Sequence, residues 1–218
     1  MKIIARLSQE ARAKLGIDKK KDSSFRCSMR TISSEELASN RNPRTPYIVI
    51  WSVNFYSAKY ISSQYDATGV PFDLWHFVSD KKQRKYNVIV EQYQEHTYAV
   101  KFYPRAWKND AKRYSRLTGD GEPRTIVLTI IQIMLHYARE DSKSSFLFFG
   151  SASEGESEAN TKRFRFYTRI MREYFDSKTF VHKDNIDKSL YMMLRRTEVE
   201  AGELQDSDII EFIDTLYE

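Results

Sequence analysis

Residues 125–139, TIVLTIIQIMLHYAR, are apolar around almost the whole circumference of a helix. A helix with one apolar stripe can lie on a surface, but a helix that is apolar nearly all round has to be enclosed. Glu122 stands where the positive end of the helix dipole would be and Pro123 at an early helical position, which marks the start. The β-branched residues also permit a strand, yet fifteen residues without a turn signal exceed the usual strand length. The run is shorter than the roughly 20 residues that span a bilayer, so it belongs in the interior of a globular domain. At 218 residues the chain is long enough for one such domain with a small appendage.

Strand patterns lie on both sides of this segment. Upstream, Tyr47 to Tyr56 (YIVIWSVNFY) reads as a strand, residues 69–78 as a further short one, and Tyr86 to Tyr93 with His96 to Tyr103 as a hairpin turning at Gln94 and Glu95. Downstream, Ser145 to Phe149 (SFLFF) has the unbroken apolar character of a strand buried on both faces. From Asn160 a rotation of 100° per residue sorts Phe164, Phe166, Tyr167, Ile170 and Met171 onto one half of a helix, and Lys162, Arg165, Arg169 and Arg172 onto the other. Thr179 to His182 and Ser189 to Leu194 then form a last strand pair, and Asp206 or Ser207 caps a final acidic helix with an apolar side at Ile209, Ile210, Phe212, Ile213 and Leu216. The fold class expected is α/β, with a mixed, mostly antiparallel sheet flanked by helices. Three parts follow: a basic extension over residues 1–46, holding Lys19 to Lys21 and a capped helix near 33–39, an α/β domain over 47–196, and the acidic helix within 197–218.

Charge narrows the partners. Eight acids and no Lys or Arg fall in residues 197–218, so the +5 of the whole chain leaves 35 cations against 22 acids, or +13, on residues 1–196. Such a field draws polyanions, whether nucleic acid, a phosphorylated cofactor or an acidic partner protein. The stripe of Lys162, Arg165, Arg169 and Arg172 is either a surface for a phosphate backbone or a solvated face. The acidic tail would in turn be drawn to a basic surface, this same stripe or one on a partner. Cys27 is the lone cysteine and the four histidines are scattered, which argues against a disulfide and a metal site. The first residues lack the apolar core of a secretory signal, and the expected setting is cytoplasmic, with no membrane.

The sharpest local signal is Arg116-Leu117-Thr118-Gly119-Asp120-Gly121, directly before the buried helix. Glycines at alternate positions let backbone N–H groups converge, with a helix N-terminus behind them, as in pyrophosphate cradles. The alternative is a tight turn that only starts the helix, and the carboxylates of Asp120 and Glu122 stand where a phosphate would sit.

Arg-x-x-Gly-x-Gly at the mouth of a helix resembles the pyrophosphate-binding motif of the GNAT superfamily, the acyl-CoA-dependent N-acyltransferases. The order of elements downstream is similar as well. Over residues 86–196 the chain looks most like uncharacterised GNAT-like proteins of phages and bacteria, through Thr118 to Gly121, Thr125 to Ile131 and Arg163 to Tyr167. The resemblance implies a GNAT-like splayed sheet, with acetyl-CoA or another acyl-CoA as cofactor if the protein is an enzyme. It assigns Arg116, Thr118, Gly119, Asp120 and Gly121 to the cofactor, and Tyr167 as the general acid that protonates the departing thiolate. On the residues alone Tyr167, on the apolar half of its helix, reads rather as a core tyrosine. The polar stretch from Lys108 to Ser115 departs from the family, whose glycine motif follows directly on a strand, and neither Glu91 nor Glu95 is singled out as a base. The expected role is a non-catalytic binding or regulatory component of a phage or bacterial conflict system, with acyl-CoA-dependent N-acyltransferase and nucleic-acid-binding module as the alternatives.

Overall fold

The computed structural model describes residues 54–93, 96–116, 118–119 and 121–217. The basic extension, most of the strand expected over 47–56, the turn at Gln94 and Glu95, and Asp120 lie outside them; residues 54–56 of that strand are irregular.

Four strands form a meander: β1 (Lys59–Tyr65), β2 (Pro71–Val78), β3 (Lys85–Gln92) and β4 (Thr97–Pro104). In β3 and β4 Tyr86, Val88, Val90, Tyr98 and Val100 are buried on one face. Strand β1 was not foreseen, because KYISSQY is polar and lies at the sheet edge with most of its side chains exposed. A single-turn 3₁₀ helix (Arg105–Trp107) and a chain of turns lead to helix α1 (Pro123–Glu140). Its Ile130, Ile131 and Met134 are fully buried, as a helix apolar nearly all round requires. Strand β5 (Ser145–Phe149) follows, then helix α2 (Lys162–Tyr174), and the antiparallel strands β6 (Phe180–Asn185) and β7 (Leu190–Arg195). A short helix α3 (Arg196–Glu200) and helix α4 (Asp206–Tyr217) close the chain.

These strands make one open, seven-stranded sheet in the order β1-β2-β3-β4-β5-β7-β6. Every pairing is antiparallel except β4 with β5, which the crossover through α1 makes parallel. Side-chain alternation divides the core in two. Val88, Val100, Phe146, Phe148, Tyr191 and Met193 face α1 and α2, whereas Ala99, Leu147, Leu190, Met192 and Leu194 face Leu204 and Ile209 of the C-terminal arm. The acidic tail therefore docks on its own sheet, but not on the arginine stripe. Its acids meet Lys143, through Glu198 at 2.8 Å and Glu203 at 3.0 Å, and Lys188, through Asp214. The apolar side of the tail helix sets this position, because Ile209 has to reach the uncovered face of β5 and β7.

A cleft where two parallel strands part

Strands β4 and β5 pair over three positions only, Thr97 to Ala99 with Ser145 to Leu147. Beyond them the strands diverge, and a cleft of about 520 Å³ opens at their carboxyl ends. Ligands of open α/β sheets collect at such a place, outside the carboxyl ends of strands where the connectivity changes direction. Val100 and Phe102 line one wall, Phe149 to Ala152 another, and Arg163 and Tyr167 of α2 a third.

Gly150 makes the third wall possible. A Cβ there would lie 2.5 Å from the Phe164 nitrogen and 2.6 Å from the Thr161 hydroxyl, so only glycine lets the start of α2 approach the end of β5. Thr161 uses that proximity twice. Its hydroxyl caps α2 by accepting from the Phe164 N–H at 3.1 Å and donates to the Gly150 carbonyl at 2.6 Å.

Arg163 is the most connected side chain of the cleft. Its guanidinium donates to the carbonyls of Tyr114 (2.8 Å), Ser115 (2.8 Å), Arg116 (2.7 Å) and Ser151 (2.9 Å). It thereby ties the polar stretch after β4 to the loop after β5, and among the described residues no carboxylate neutralises it. One helical turn further, Tyr167 lies against Phe102 and Phe148. Burial pushes its phenol up to about 12, against the opposing pull of the Arg163 charge. No group among the described residues hydrogen-bonds its hydroxyl. Tyr167 is thus both a packed aromatic and a cleft residue.

The two lysines of the cleft are already engaged. Lys101 lines the cleft and donates to Glu91, which also accepts from the Tyr93 hydroxyl at 2.6 Å. Lys188 is held by Asp214. No histidine lines the cleft among the described residues, and its one carboxylate, Glu158, is exposed at the rim; the cleft thus holds an acid of high pKa and, in Glu158, a solvated carboxylate.

The glycine turn lies beside the cleft, joined to it by the grip of Arg163 on the Arg116 carbonyl. Gly119 and Gly121 have φ of +65° and +71° with open space where a side chain would begin, so their requirement is backbone conformation, not room. Arg116 points elsewhere: its guanidinium pairs with Asp110 at 2.6 Å and covers the Trp107 ring at 4.8 Å. Thr118 is half-buried. Glu122, at the positive end of α1, accepts from the Tyr56 hydroxyl at 2.5 Å, and burial together with that bond raises the phenol to about 12.

The basic stripe of α2 stands apart from the cleft. Arg165 donates to the Asn160 carbonyl and Arg172 to Asp184 at 2.7 Å, Lys162 is exposed with its backbone N–H on Glu156 at 2.6 Å, and Arg169 is exposed with no acidic partner among the described residues. Arg163, outside the stripe and named in the sequence only at the head of the Arg163 to Tyr167 resemblance, is the cleft residue whose role the sequence signalled least, since nothing in the sequence reports its four carbonyl partners. Among the described residues no group of three or more His, Cys, Asp or Glu forms a metal site, and no helix is long and apolar enough to cross a membrane. Comparison with known proteins gives no relative: no family model, curated protein or solved structure matches the chain.

Proposed function

We propose that this is a GNAT-like binding protein whose β4–β5 cleft takes an extended, amide-bearing ligand of the acyl-CoA class without turning it over. The observation that carries the reading is the parting of β4 and β5 after three residue pairs. It leaves the β4 edge beyond Ala99 without a neighbouring strand on the cleft side, so backbone amide and carbonyl groups line a cavity of ligand size. The engagement of Glu91 by Lys101 and Tyr93 supports binding over catalysis, because a transferase needs a base for the acceptor amine and the one carboxylate among the described cleft-lining residues, Glu158, is exposed to solvent. In a phage or bacterial conflict system such a protein would act as a sensor or regulatory subunit.

Calorimetry with acetyl-CoA and coenzyme A tests the reading. Binding in the range of about 1 μM to 1 mM is expected, with no release of free thiol above the blank when amines are supplied. Absence of heat at millimolar ligand would overturn it. The second reading, acyltransferase, rests on the unpartnered Tyr167 hydroxyl in the cleft. It requires thiol release that Tyr167→Phe abolishes while binding survives.

A further inference from the structure

Two basic segments that are distant in sequence meet at the end of the sheet beside the cleft. Residues 80–85 form the turn between β2 and β3, and residues 105–116 follow β4; β3 and β4 are paired, with Tyr86 opposite Pro104. Together these 18 residues hold nine Lys and Arg against Asp80 and Asp110, whereas the whole chain has 35 in 218. Lys81, Lys82, Lys85, Lys108 and Lys112 are exposed. Asp110 is committed to Arg116, and Glu198, Glu200, Glu203 and Asp214 of the C-terminal arm to Lys143, Arg196 and Lys188, so none of these five carboxylates covers the patch.

Aromatic rings interleave the cations. The Arg84 and Arg116 guanidinium groups lie 5.8 and 4.8 Å from the centre of the Trp107 ring, and that of Arg113 lies 4.8 Å from Tyr114 and 5.4 Å from Tyr103. Stacking costs these guanidinium groups rotamer freedom and fixes their positive charge at the surface among the exposed lysines, although Arg116 also pairs with Asp110. The backbone below is fixed by successive turn hydrogen bonds from Lys108 to Arg116 and by the grip of Arg163 on residues 114–116. The charges of Arg105 and Lys85 also add to burial in holding the His76 imidazole below its usual pKa, as expected where two basic segments converge.

The geometry points to a sequence-independent binding surface for the phosphate backbone of a nucleic acid, formed by residues 80–85 and 105–116. A periodic polyanion engages cations from both segments at once without needing shape complementarity. A protein interface would need an apolar centre, and a membrane surface apolar residues to insert. Among the exposed large apolar residues Ile61, Tyr65, Val78 and Ile186, only Val78, which pairs with Lys85, borders the patch. This surface is distinct from the α2 stripe, and none of its five exposed lysines lines the cleft.

Fluorescence anisotropy with a labelled 20-nucleotide oligo-dT and a 20-base-pair duplex of arbitrary sequence tests it. Each lysine that meets a phosphate contributes about 0.7 to the log–log salt slope on single strands and about 0.9 on duplex. Five such contacts on oligo-dT would weaken binding about 100-fold between 50 and 200 mM salt. Replacing Lys81, Lys82, Lys85, Lys108 and Lys112 together by Gln, all exposed and outside the core, is expected to flatten the slope by at least two units with an unchanged circular dichroism spectrum. Replacing Lys162 and Arg169 by Gln should leave it as it was. No binding at 50 mM salt, an unchanged slope in the five-lysine variant, or equal loss in the stripe variant would each overturn the proposal. Competition by poly-glutamate or phosphatidylserine vesicles at lower charge concentration than DNA would do so as well, and would assign the patch to an acidic protein or a lipid surface.

Discussion

The two faces of the sheet are held by different forces. On one, α1 and α2 lay fully buried Ile130, Ile131, Met134 and Met171 against Phe146, Tyr191 and Met193 in a continuous apolar layer. On the other, a smaller cluster around Leu204 and Ile209 is supplemented by charge pairs at Lys143 and Lys188. Apolar burial is insensitive to salt, whereas pairs with half-exposed partners are screened by it. The helix face is therefore inseparable from the fold. The arm is a cover laid over a finished sheet, and one of its contacts, Asp214 on Lys188, reaches a residue that lines the cleft.

The largest effects should fall on the helix face. Phe146 is fully buried between Tyr98 and Phe180, and Phe146→Ala is expected to lower unfolding free energy by about 3–5 kcal/mol in urea titrations. Gly150→Ala should also be severe, because its Cβ would force α2 off the end of β5, and it should exceed Thr161→Ala, for which loss of the cap costs about 0.5–2 kcal/mol. Removing residues 203–218 should cost less than Phe146→Ala and leave a single cooperative transition. If the truncation is as damaging as Phe146→Ala, the arm is an integral layer and the contrast fails.

The same contrast explains how much of the molecule was legible in the sequence. Helix α1, strand β5, the two faces of α2 and the β6–β7 pair were readable because periodicity records which side of an element is buried. Polar β1 was not, since an edge strand with little to bury carries no such record. Tyr167 and the glycine turn were singled out, and both lie at or beside the cleft. The orientation of Arg116 toward Asp110 and Trp107 was beyond reach, as was the destination of the tail, because each depends on which charged groups the fold brings together. The basic runs at 80–85 and 105–116 were not singled out, because each alone is an ordinary polar connection; only the register of β3 and β4 unites them.

A smaller effect on the helix face concerns pH. His182 is half-buried on β6, hydrogen-bonded to the Tyr191 hydroxyl at 2.5 Å and the Phe175 carbonyl at 3.1 Å, and burial holds its pKa below the usual value. The native state then binds fewer protons than the unfolded chain. The contribution is fully present above the unfolded pKa of about 6.5 and is lost as pH falls through the depressed native value. His182→Gln should flatten that part of the stability profile. On the arm, Lys143 holds the Glu198 carboxyl below its usual range, so this contribution is also lost toward acid, through a lower window. Hydrogen exchange in α4 should rise there, before the helix face responds.

The smallest change in stability should accompany the most local change in function. Asp214→Asn removes one partner of a pair between half-exposed side chains, for which about 0–1 kcal/mol is typical, so the melting profile should hardly move. It also leaves Lys188 uncompensated at the wall of the cleft. A ligand carrying phosphates should then bind more tightly, with coenzyme A gaining severalfold in affinity at about 10 mM salt. At about 500 mM the gain should vanish, because the screening length falls to a few ångströms. Lys188→Gln should give the opposite shift at low salt. Equal affinities in all three proteins at low salt would mean that Asp214 and Lys188 hold the arm in place without influencing the cleft. The arm would then be a cover for the second core alone, and the difference between the two faces would be one of stability with no bearing on binding.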